Sequence, residues 1–366
     1  LNCCNETKQF TLTTKSTLIK NIGLLELNSV EHYRWGIIKI GNPAKEFQLF
    51  FQLNSSQFWV INENANLGWK EEGRQKQRYN NINQSYSSKL LKENYKEENI
   101  FGYLFSDTID IGNIKIQNIS FISAINGFPK YLQFIEEIDG IFGLSPIKTN
   151  KLNFILNNEF KNPIITIYTK GLISGDSEDI TVAIGSITFG SENEKECIKE
   201  SYKYSKISEN INEWSTDINL IKIGNNIINN NNNKKNNKIQ KLRIFDGILY
   251  IYAPKVQLDE IAIKLGAINI TKNFNDFYIL PLIKCNEKRN MPNIILNVGG
   301  LKNKKINVIL KPTQYMELHE EEHGDENITE TCRLLFLPNE GLFGYNNINN
   351  NDWNMGEIFM LNRCIS

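Results

Sequence analysis

Histidines and carboxylates are the side chains with which this chain could do chemistry, and it has only three histidines. His319 and His323 are separated by three glutamates, a spacing similar to that of a metalloprotease helix. The acidic run continues beyond them and no third ligand is evident, so a solvated acidic loop is favoured over a zinc site. With His32 as the remaining histidine, no Cys-His or Ser-His-Asp set can be assembled for nucleophilic catalysis. No metal and no cofactor is predicted.

Two apolar stretches each contain a short segment of polar residues. Residues 47–60 read Phe-Gln-Leu-Phe-Phe-Gln-Leu-Asn-Ser-Ser-Gln-Phe-Trp-Val, with Gln52 at the start of the polar segment. Residues 243–249 read Arg-Ile-Phe-Asp-Gly-Ile-Leu, with Asp246 in the polar segment. A carboxylate such as that of Asp246 can act as a general acid or base. The amide of Gln52 cannot, because it neither ionises nor accepts a proton in the ordinary pH range.

Short β-strands are the elements that must position these segments. Residues 33–51 combine β-branched and aromatic residues around a Gly-Asn-Pro turn, which predicts a hairpin. Apolar residues recur at helical spacing from Val256 to Leu265, and Gly266 supplies a stop signal, which predicts a helix. Residues 151–156 predict a shorter helical turn. Further strands are predicted at 108–111, 114–116, 119–123, 164–168 and 180–184.

Length and charge limit the classes of function. A chain of 366 residues favours two units of roughly 150 to 200 residues each. Lys+Arg and Asp+Glu both total 41, and this balance argues against a nucleic-acid partner. No run of about 18 apolar residues is present, so no membrane span is predicted. Since Leu1 is not a start methionine, we expect that a signal peptide has been removed.

Cysteines and glycosylation motifs favour an oxidising secretory compartment. The six cysteines form no CxxC pair and no zinc spacing. The adjacent Cys3 and Cys4 either tether the polar arm at residues 1–32 or stay unpaired. The Asn-rich segment at 225–238 is predicted to be a solvated loop. Asn54 begins a further Asn-x-Ser/Thr motif, and the candidate glycosylation sites are Asn5, Asn83, Asn118, Asn269 and Asn327.

Several separated motifs in the first half resemble the pepsin-like aspartic protease family. Residues 33–43 are similar to its entry hairpin. Residues 47–60 are similar to its first active-site loop, where the family has Asp-Thr-Gly-Ser-Ser. Tyr95, followed by Gly102 and Asp107-Thr108, resembles its flap hairpin. Residues 139–144 (Asp-Gly-Ile-Phe-Gly-Leu) resemble the segment that supports the first loop.

The resemblance continues through the second half. Residues 243–249 occupy the position of the second Asp-Thr-Gly loop, and residues 353–359 resemble the segment that supports it. The resemblance implies a Cys285–Cys332 disulfide in the second lobe. Cys197 and Cys364 fall where nematode members of the family have an extra disulfide, so the chain resembles a nematode-type member.

The resemblance implies an all-β, bilobal pepsin-like fold with a few short helices. The corresponding division is an arm at 1–32, an N-terminal lobe at 33–190 and a C-terminal lobe at 191–366. Because the chain ends at Ser366, before the family's final strands, the C-terminus is expected to be truncated.

The departures from the family concern the catalytic residues themselves. Family members hold a water between two carboxylates that share one proton. Gln52 replaces the first of these, and Asp246 is the surviving acid. Neighbouring family residues are also replaced: Leu53 and Asn54 in the first loop, Gly247 and Ile248 in the second, and Lys96, Glu97 and Glu98 in the flap.

The sequence therefore predicts a secreted, extracellular, monomeric protein whose active site is degenerate. An interlobe cleft containing Tyr95, Trp59, Ser55 and Gly247 is expected to bind a peptide or protein ligand. The alternative is an acid endopeptidase that uses Asp246 with an unconventional partner such as Glu97 or Glu98. A third alternative is a structural or antigenic surface protein that binds no peptide.

Overall fold

The structure is a computed structural model of the chain. Some predicted features lie outside its described residues: most of the arm at 1–32 with Cys3, Cys4 and His32, then His323, the strand at 180–184, residues 229–238 of the Asn-rich loop, and Asn5, Asn83 and Asn327. The described residues are 10–11, 28–30, 33–70, 73–80, 85–112, 114–133, 135–147, 151–160, 162–169, 185–193, 196–198, 203–208, 213–228, 239–272, 275–287, 290–300, 304–322, 328–341, 349–360 and 363–365.

Strands dominate the described part of the chain. They are β1 (Phe10–Thr11), β2 (Asn28–Val30), β3 (Tyr33–Ile40), β4 (Lys45–Gln52), β5 (Phe58–Ile61), β6 (Lys89–Glu97), β7 (Ile100–Ile111), β8 (Ile114–Asn126), β9 (Gly140–Gly143), β10 (Ile165–Thr169), β11 (Gly185–Phe189), β12 (Ser215–Ile223), β13 (Asn226–Ile228), β14 (Lys241–Ile244), β15 (Ile251–Ala253), β16 (Ile268–Lys272), β17 (Asn275–Leu280), β18 (Ile294–Gly299), β19 (Lys305–Leu310), β20 (Met316–Glu322), β21 (Ile328–Leu334), β22 (Phe336–Pro338), β23 (Trp353–Met355) and β24 (Arg363–Ile365). The helices are α1 (Lys151–Glu159), α2 (Lys255–Leu265), α3 (Leu282–Asn286), α4 (Pro312–Tyr315) and α5 (Glu357–Met360), with 3-10 turns at Lys130–Gln133 and Asn339–Gly341.

The chain divides into two compact units. The first unit contains Leu1–Ser201 and Met360–Ser366, and the second contains Tyr202–Phe359. The end of the chain belongs to the first unit because β24 pairs with β10 and because Cys364 forms a disulfide with Cys197.

In the first unit, an eight-stranded sheet is ordered β2-β3-β4-β9-β5-β8-β7-β6. The short strand β9 runs parallel to β4 and antiparallel to β5. The segment from β4 to β5 therefore forms a loop at the end of β9. Apolar residues on these three strands are fully buried, and the rings of Phe58 and Phe142 meet edge to face with their centroids 4.8 Å apart. This packing fixes both ends of the loop.

The second unit repeats this arrangement with different residues. β23 runs parallel to β14 and antiparallel to β15, so the segment between β14 and β15 forms the corresponding loop. These strands belong to an eight-stranded sheet, beside which lies a four-stranded sheet ordered β16-β17-β21-β20. Trp353 on β23 is fully buried and packs edge to face on Phe336. The Cys285–Cys332 disulfide, with its Cα atoms 5.6 Å apart, joins α3 to β21.

Several sequence predictions are confirmed. The predicted all-β fold with few short helices is present, and both disulfides implied by the resemblance are formed. The predicted helix is α2, and Gly266 ends it in the left-handed conformation with φ of 77°. Within the described ranges, no helix is long and apolar enough to cross a bilayer.

The prediction of an acidic loop around His319 is wrong. The run from Met316 to Glu322 is strand β20, which pairs along its whole length with β21. The cause is long-range, since β21 carries Cys332 of a disulfide and pairs on its other side with β17. Composition alone does not contain that information.

Candidate functional site

The first loop, residues 53–57 with the adjoining Gln52, is held by main-chain hydrogen bonds from the segment that begins with β9. The amide of Leu144 donates to the carbonyl of Gln52 at 2.8 Å, and the amide of Gly143 donates to the carbonyl of Gln57 at 2.7 Å. Ser145 donates to the carbonyl of Ser55 at 3.0 Å. A Cβ at Gly143 would lie 2.3 Å from the Ser55 carbonyl oxygen, so this approach requires glycine. The loop is therefore firmly positioned.

The side chains of this loop contain no ionisable group. Gln52 and Asn54 are partly buried, and Leu53 is buried at 4% exposure. Ser55 uses its hydroxyl within the loop, where it accepts a hydrogen bond from the Gln57 amide at 3.1 Å. Amides and hydroxyls at these positions can hydrogen-bond a ligand, but none of them can exchange a proton as a carboxylate does.

Asp139 anchors the strand that supports the loop, a function that the sequence analysis missed. Its carboxylate is fully buried and accepts two hydrogen bonds from the guanidinium of Arg74, at 2.9 and 2.8 Å. It also accepts the main-chain amides of Gln48 on β4, at 2.8 Å, and of Gln77, at 2.6 Å. A bidentate Arg-carboxylate pair of this kind is strong and directional. The only sequence signal was the Asp at the start of the 139–144 motif.

The hairpin of β6 and β7 folds its tip onto the first loop. The side chain of Gln57, which is buried, donates from Nε2 to the carbonyl oxygen of Glu97 at 3.0 Å. Glu98 follows in the left-handed conformation with φ of 52° and turns the chain into β7. This hairpin, residues 89–111, is called the flap below.

Tyr95 of the flap donates its hydroxyl to the carboxylate of Glu97 at 3.3 Å. Trp59, which shares a buried apolar cluster with Tyr95, is fully buried and its Nε1 has no hydrogen-bond partner within the described ranges. The Tyr95 hydroxyl and the Trp59 indole are thus not joined by a hydrogen bond, and the hydroxyl donates to Glu97 instead.

Replacing Gln57 by alanine is expected to loosen the flap tip. One neutral hydrogen bond contributes about 1 kcal/mol, so amide hydrogen exchange at residues 95–100 should accelerate about fivefold. Gln77→Ala is the matched control, because that side chain donates to the adjacent carbonyl of Arg78 at 3.3 Å and not to the flap. Equal exchange rates in the two variants would show that Gln57 does not hold the flap.

The second loop, residues 245–250, contains Asp246. This residue is 5% exposed. The amide of Phe245 donates to the carbonyl of Met355 at 2.9 Å, and Gly247 adopts a positive φ of 76°, which favours glycine. The carbonyls of Ile248 and Leu249 accept the amides of Glu357 and Ile358, at 2.9 and 3.1 Å.

A buried charge network precedes Asp246, and the sequence analysis missed it too. Arg243 on β14 is 8% exposed and donates to Glu213 at 2.7 Å and to Asp352 at 3.0 Å. Asp352, itself 1% exposed, also accepts the amide of Lys241. The available signal was a charged residue, Arg243, between the apolar residues Leu242 and Ile244. The network fixes β14 against β23 beside the second loop.

The structure thus assigns the predicted site residues to two different units. Gln52, Ser55, Trp59 and Tyr95 belong to the first unit, and Asp246 and Gly247 belong to the second. Within the ranges described, no three His, Cys, Asp or Glu side chains are grouped so that they could hold a metal ion.

Two units that each hold a loop over a central strand, with a flap in the first, define a pepsin-like class of protein. The family model for the eukaryotic aspartyl protease matches residues 33–364. Mucorpepsin of Rhizomucor pusillus is 21% identical over 320 residues, which is 83% of this chain and 71% of that protein. Pepsin-3 of Oryctolagus cuniculus is 24% identical over 164 residues, or 44% of this chain and 42% of that protein.

The chain belongs to the eukaryotic aspartyl protease family. The match to pepsin-3 spans less than half of either protein.

Proposed function

We propose that this protein is a secreted, catalytically inactive member of the family that binds peptides without cleaving them. One observation supports the proposal: the first loop has the amide of Gln52 where the resemblance implies a catalytic carboxylate. Peptide hydrolysis in this family depends on two carboxylates with split protonation states, so that one accepts a proton while the other donates. Asp246 is the acid that remains of the two. We therefore expect the rate of peptide hydrolysis to fall by well more than the ~10²–10⁴-fold typical of losing a single general acid or base.

The loop framework supports a retained binding role. Three main-chain hydrogen bonds still hold the first loop, and Gln57 still connects it to the flap. Leu53 has become part of the apolar core, which strengthens the framework rather than the chemistry. A site with fixed hydrogen-bond donors and acceptors beside an apolar cluster suits a peptide ligand.

Secretion is supported by two disulfides, which persist in oxidising compartments. Two of the candidate glycosylation sites, Asn118 and Asn269, are exposed. A β-bulge at Asn118, where φ is 60°, places Gln117 and Asn118 on the solvent side in succession. These two asparagines are the positions at which we expect N-linked glycans.

A second candidate function, acid endopeptidase activity, is favoured by the surroundings of Glu97 in the flap. Burial raises the pKa of the Glu97 carboxyl above its ordinary value, so that it stays protonated to a higher pH than an ordinary glutamate. Such a group could supply the proton that the Gln52 amide cannot.

Incubation of the purified full chain with a broad peptide library at acid pH separates the two candidates. We expect no cleavage by the wild type and no change in the Asp246→Ala variant, while calorimetry detects peptide binding by both. An active pepsin in parallel confirms the assay. Turnover that disappears in Asp246→Ala or with pepstatin would contradict the proposal, and its loss in Glu97→Gln as well would establish the second candidate. Absence of any peptide binding would favour a structural or antigenic surface protein.

A further inference from the structure

The outward side of one sheet in the second unit has aliphatic side chains at positions where polar ones are usual. Strands β13, β12, β18 and β19 are neighbours in this sheet, and buried residues such as Ile221 and Leu296 mark its core side. An antiparallel sheet that covers a core on one side normally has polar residues on the other. The residues that alternate with the buried ones here are Leu220, Lys222, Ile227, Ile295, Asn297, Gly299, Lys305, Asn307 and Ile309. They are called the outward face below.

Three isoleucines of the outward face lie in one row across the strands. Ile227 is opposite Lys222, which is opposite Ile295 on its other side. Ile295 is in turn opposite Ile309, and the exposed fractions are 58% for Ile227 and 38% for Ile309. Directly opposite residues of a sheet have Cβ atoms about 5 Å apart, so the row is a continuous aliphatic strip that includes one lysine. A single exposed isoleucine is normal, but a contiguous apolar strip indicates an interaction site.

The charges of the outward face are all positive. Lys222 lies within the isoleucine row, and Lys305 lies at the start of β19. The face as defined contains no aspartate or glutamate, and Lys222 forms no ion pair in the part of the chain that the structure describes. A carboxylate brought to Lys222 beside the isoleucines would be partly removed from water, where a charge-assisted contact is stronger than at an open surface.

We propose that the outward face is a docking surface for an acidic amphipathic segment of a partner protein. Aliphatic side chains of the segment cover the isoleucine row, and a carboxylate beside them pairs with Lys222. The inference goes beyond the proposed function, because no residue of the outward face belongs to either loop or to the flap.

Charge and composition disfavour two other occupants of the outward face. A second copy of this chain that used the same face would bring lysine and no carboxylate to Lys222. A membrane surface is disfavoured because the face as defined has no aromatic side chain, and aromatic residues are typical of proteins that lie in a lipid interface. The acidic segment is the occupant that satisfies both the isoleucines and the lysine.

Fluorescence anisotropy of the full chain with two labelled model peptides tests the proposal. Both peptides are amphipathic helices with leucine on one side, and they differ only in having glutamate or lysine at the positions that flank the leucines. The wild type should bind the glutamate peptide roughly tenfold more tightly than the lysine peptide. This preference should shrink as the salt concentration rises, and Lys222→Gln should remove most of it.

Substitution of an isoleucine tests the apolar part of the surface. Ile227→Ser should weaken binding of the glutamate peptide roughly tenfold, because the contact with its leucines is lost. Urea denaturation should be little changed, since Ile227 is mostly exposed in the chain alone. Ile263→Ser is the matched control, because Ile263 is 77% exposed on α2 of the same unit and does not belong to the outward face. It should leave the affinity unchanged.

Four other outcomes would each overturn the inference. If the glutamate peptide does not bind, the outward face is not a surface of this kind. Equal binding by the wild type and Ile227→Ser would place the peptide elsewhere, for example at the proposed peptide-binding site, whose function would then stand without this surface. Dimers in sedimentation velocity that disappear in Ile227→Ser would assign the face to a second copy. Binding to phosphatidylserine vesicles that the same substitution abolishes would assign it to a membrane.

Discussion

Replacing Asp139 by alanine is expected to lower the unfolding free energy of the first unit by about 3–5 kcal/mol. The substitution removes the acceptor of four hydrogen bonds, two from the Arg74 guanidinium and two from main-chain amides. Because Asp139 is fully buried, water cannot freely replace the carboxylate, and the amides of Gln48 and Gln77 lose their partner. The first loop is affected as well, since Asp139 directly precedes β9.

Urea denaturation followed by tryptophan fluorescence measures this loss, and the chain offers a matched control. Lys39 and Glu46 form an ion pair at 3.2 Å between β3 and β4, but both side chains are more than half exposed, at 51% and 56%. Glu46→Ala should therefore cost less than about 1 kcal/mol. Asp139→Asn, which keeps one acceptor oxygen, should fall between the two. Equal costs for Asp139→Ala and Glu46→Ala would show that the buried pair does not anchor the strand.

Local features of the fold could be predicted from the sequence because neighbouring residues determine them. The hairpin around the Gly-Asn-Pro turn became β3 and β4, and the helix ending at Gly266 became α2. The short turn predicted at residues 151–156 became the longer helix α1, Lys151–Glu159. In each case the signal and the structure lie within about ten residues of one another.

Features that depend on distant residues could not be predicted in this way. Arg74 and Asp139 are 65 positions apart, and Arg243 and Asp352 are 109 apart, so no local pattern joins them. The acidic composition of β20 predicts a loop. The segment is a strand because its pairing with β21 is set by a remote disulfide and a third strand. The resemblance gave the positions of both loops. It did not give the contacts that now occupy them, such as the bond from Tyr95 to Glu97.

The two loops keep the framework of the family, although its chemistry is proposed to be lost. Each loop lies over a central strand, and a glycine follows or ends that strand at the point of closest approach, Gly143 in the first unit and Gly356 in the second. The residues that do chemistry and the residues that hold the main chain are different sets. Gln52 lies at a position of the chemical kind, whereas Gly143 is one of the residues that hold the main chain. Substitution of a supporting glycine should therefore damage the fold even though catalysis is proposed to be absent.

Gly356→Ala is expected to destabilise the second unit by about 4 kcal/mol or more. A Cβ at this position would lie 2.3 Å from the carbonyl oxygen of Tyr250 and 2.4 Å from that of Ile248. Ordinary overpacking costs about 1–3 kcal/mol because flexible side chains rearrange, but these two contacts are main-chain atoms that cannot rotate away. The segment 248–250 has to move, and this breaks the hydrogen bonds from Glu357 and Ile358 that hold it.

Gly299→Ala is the matched control in the same unit, since a Cβ there meets nothing within 4 Å and no positive φ is involved. Alanine at this strand position should change the unfolding free energy by no more than about 0.5 kcal/mol, or raise it slightly by restricting the unfolded chain. Urea denaturation gives both values, and hydrogen exchange at residues 245–250 should accelerate only in Gly356→Ala. A similar small effect of both substitutions would mean that the approach of Gly356 to the second loop does not support it, and that Asp246 is held by other contacts.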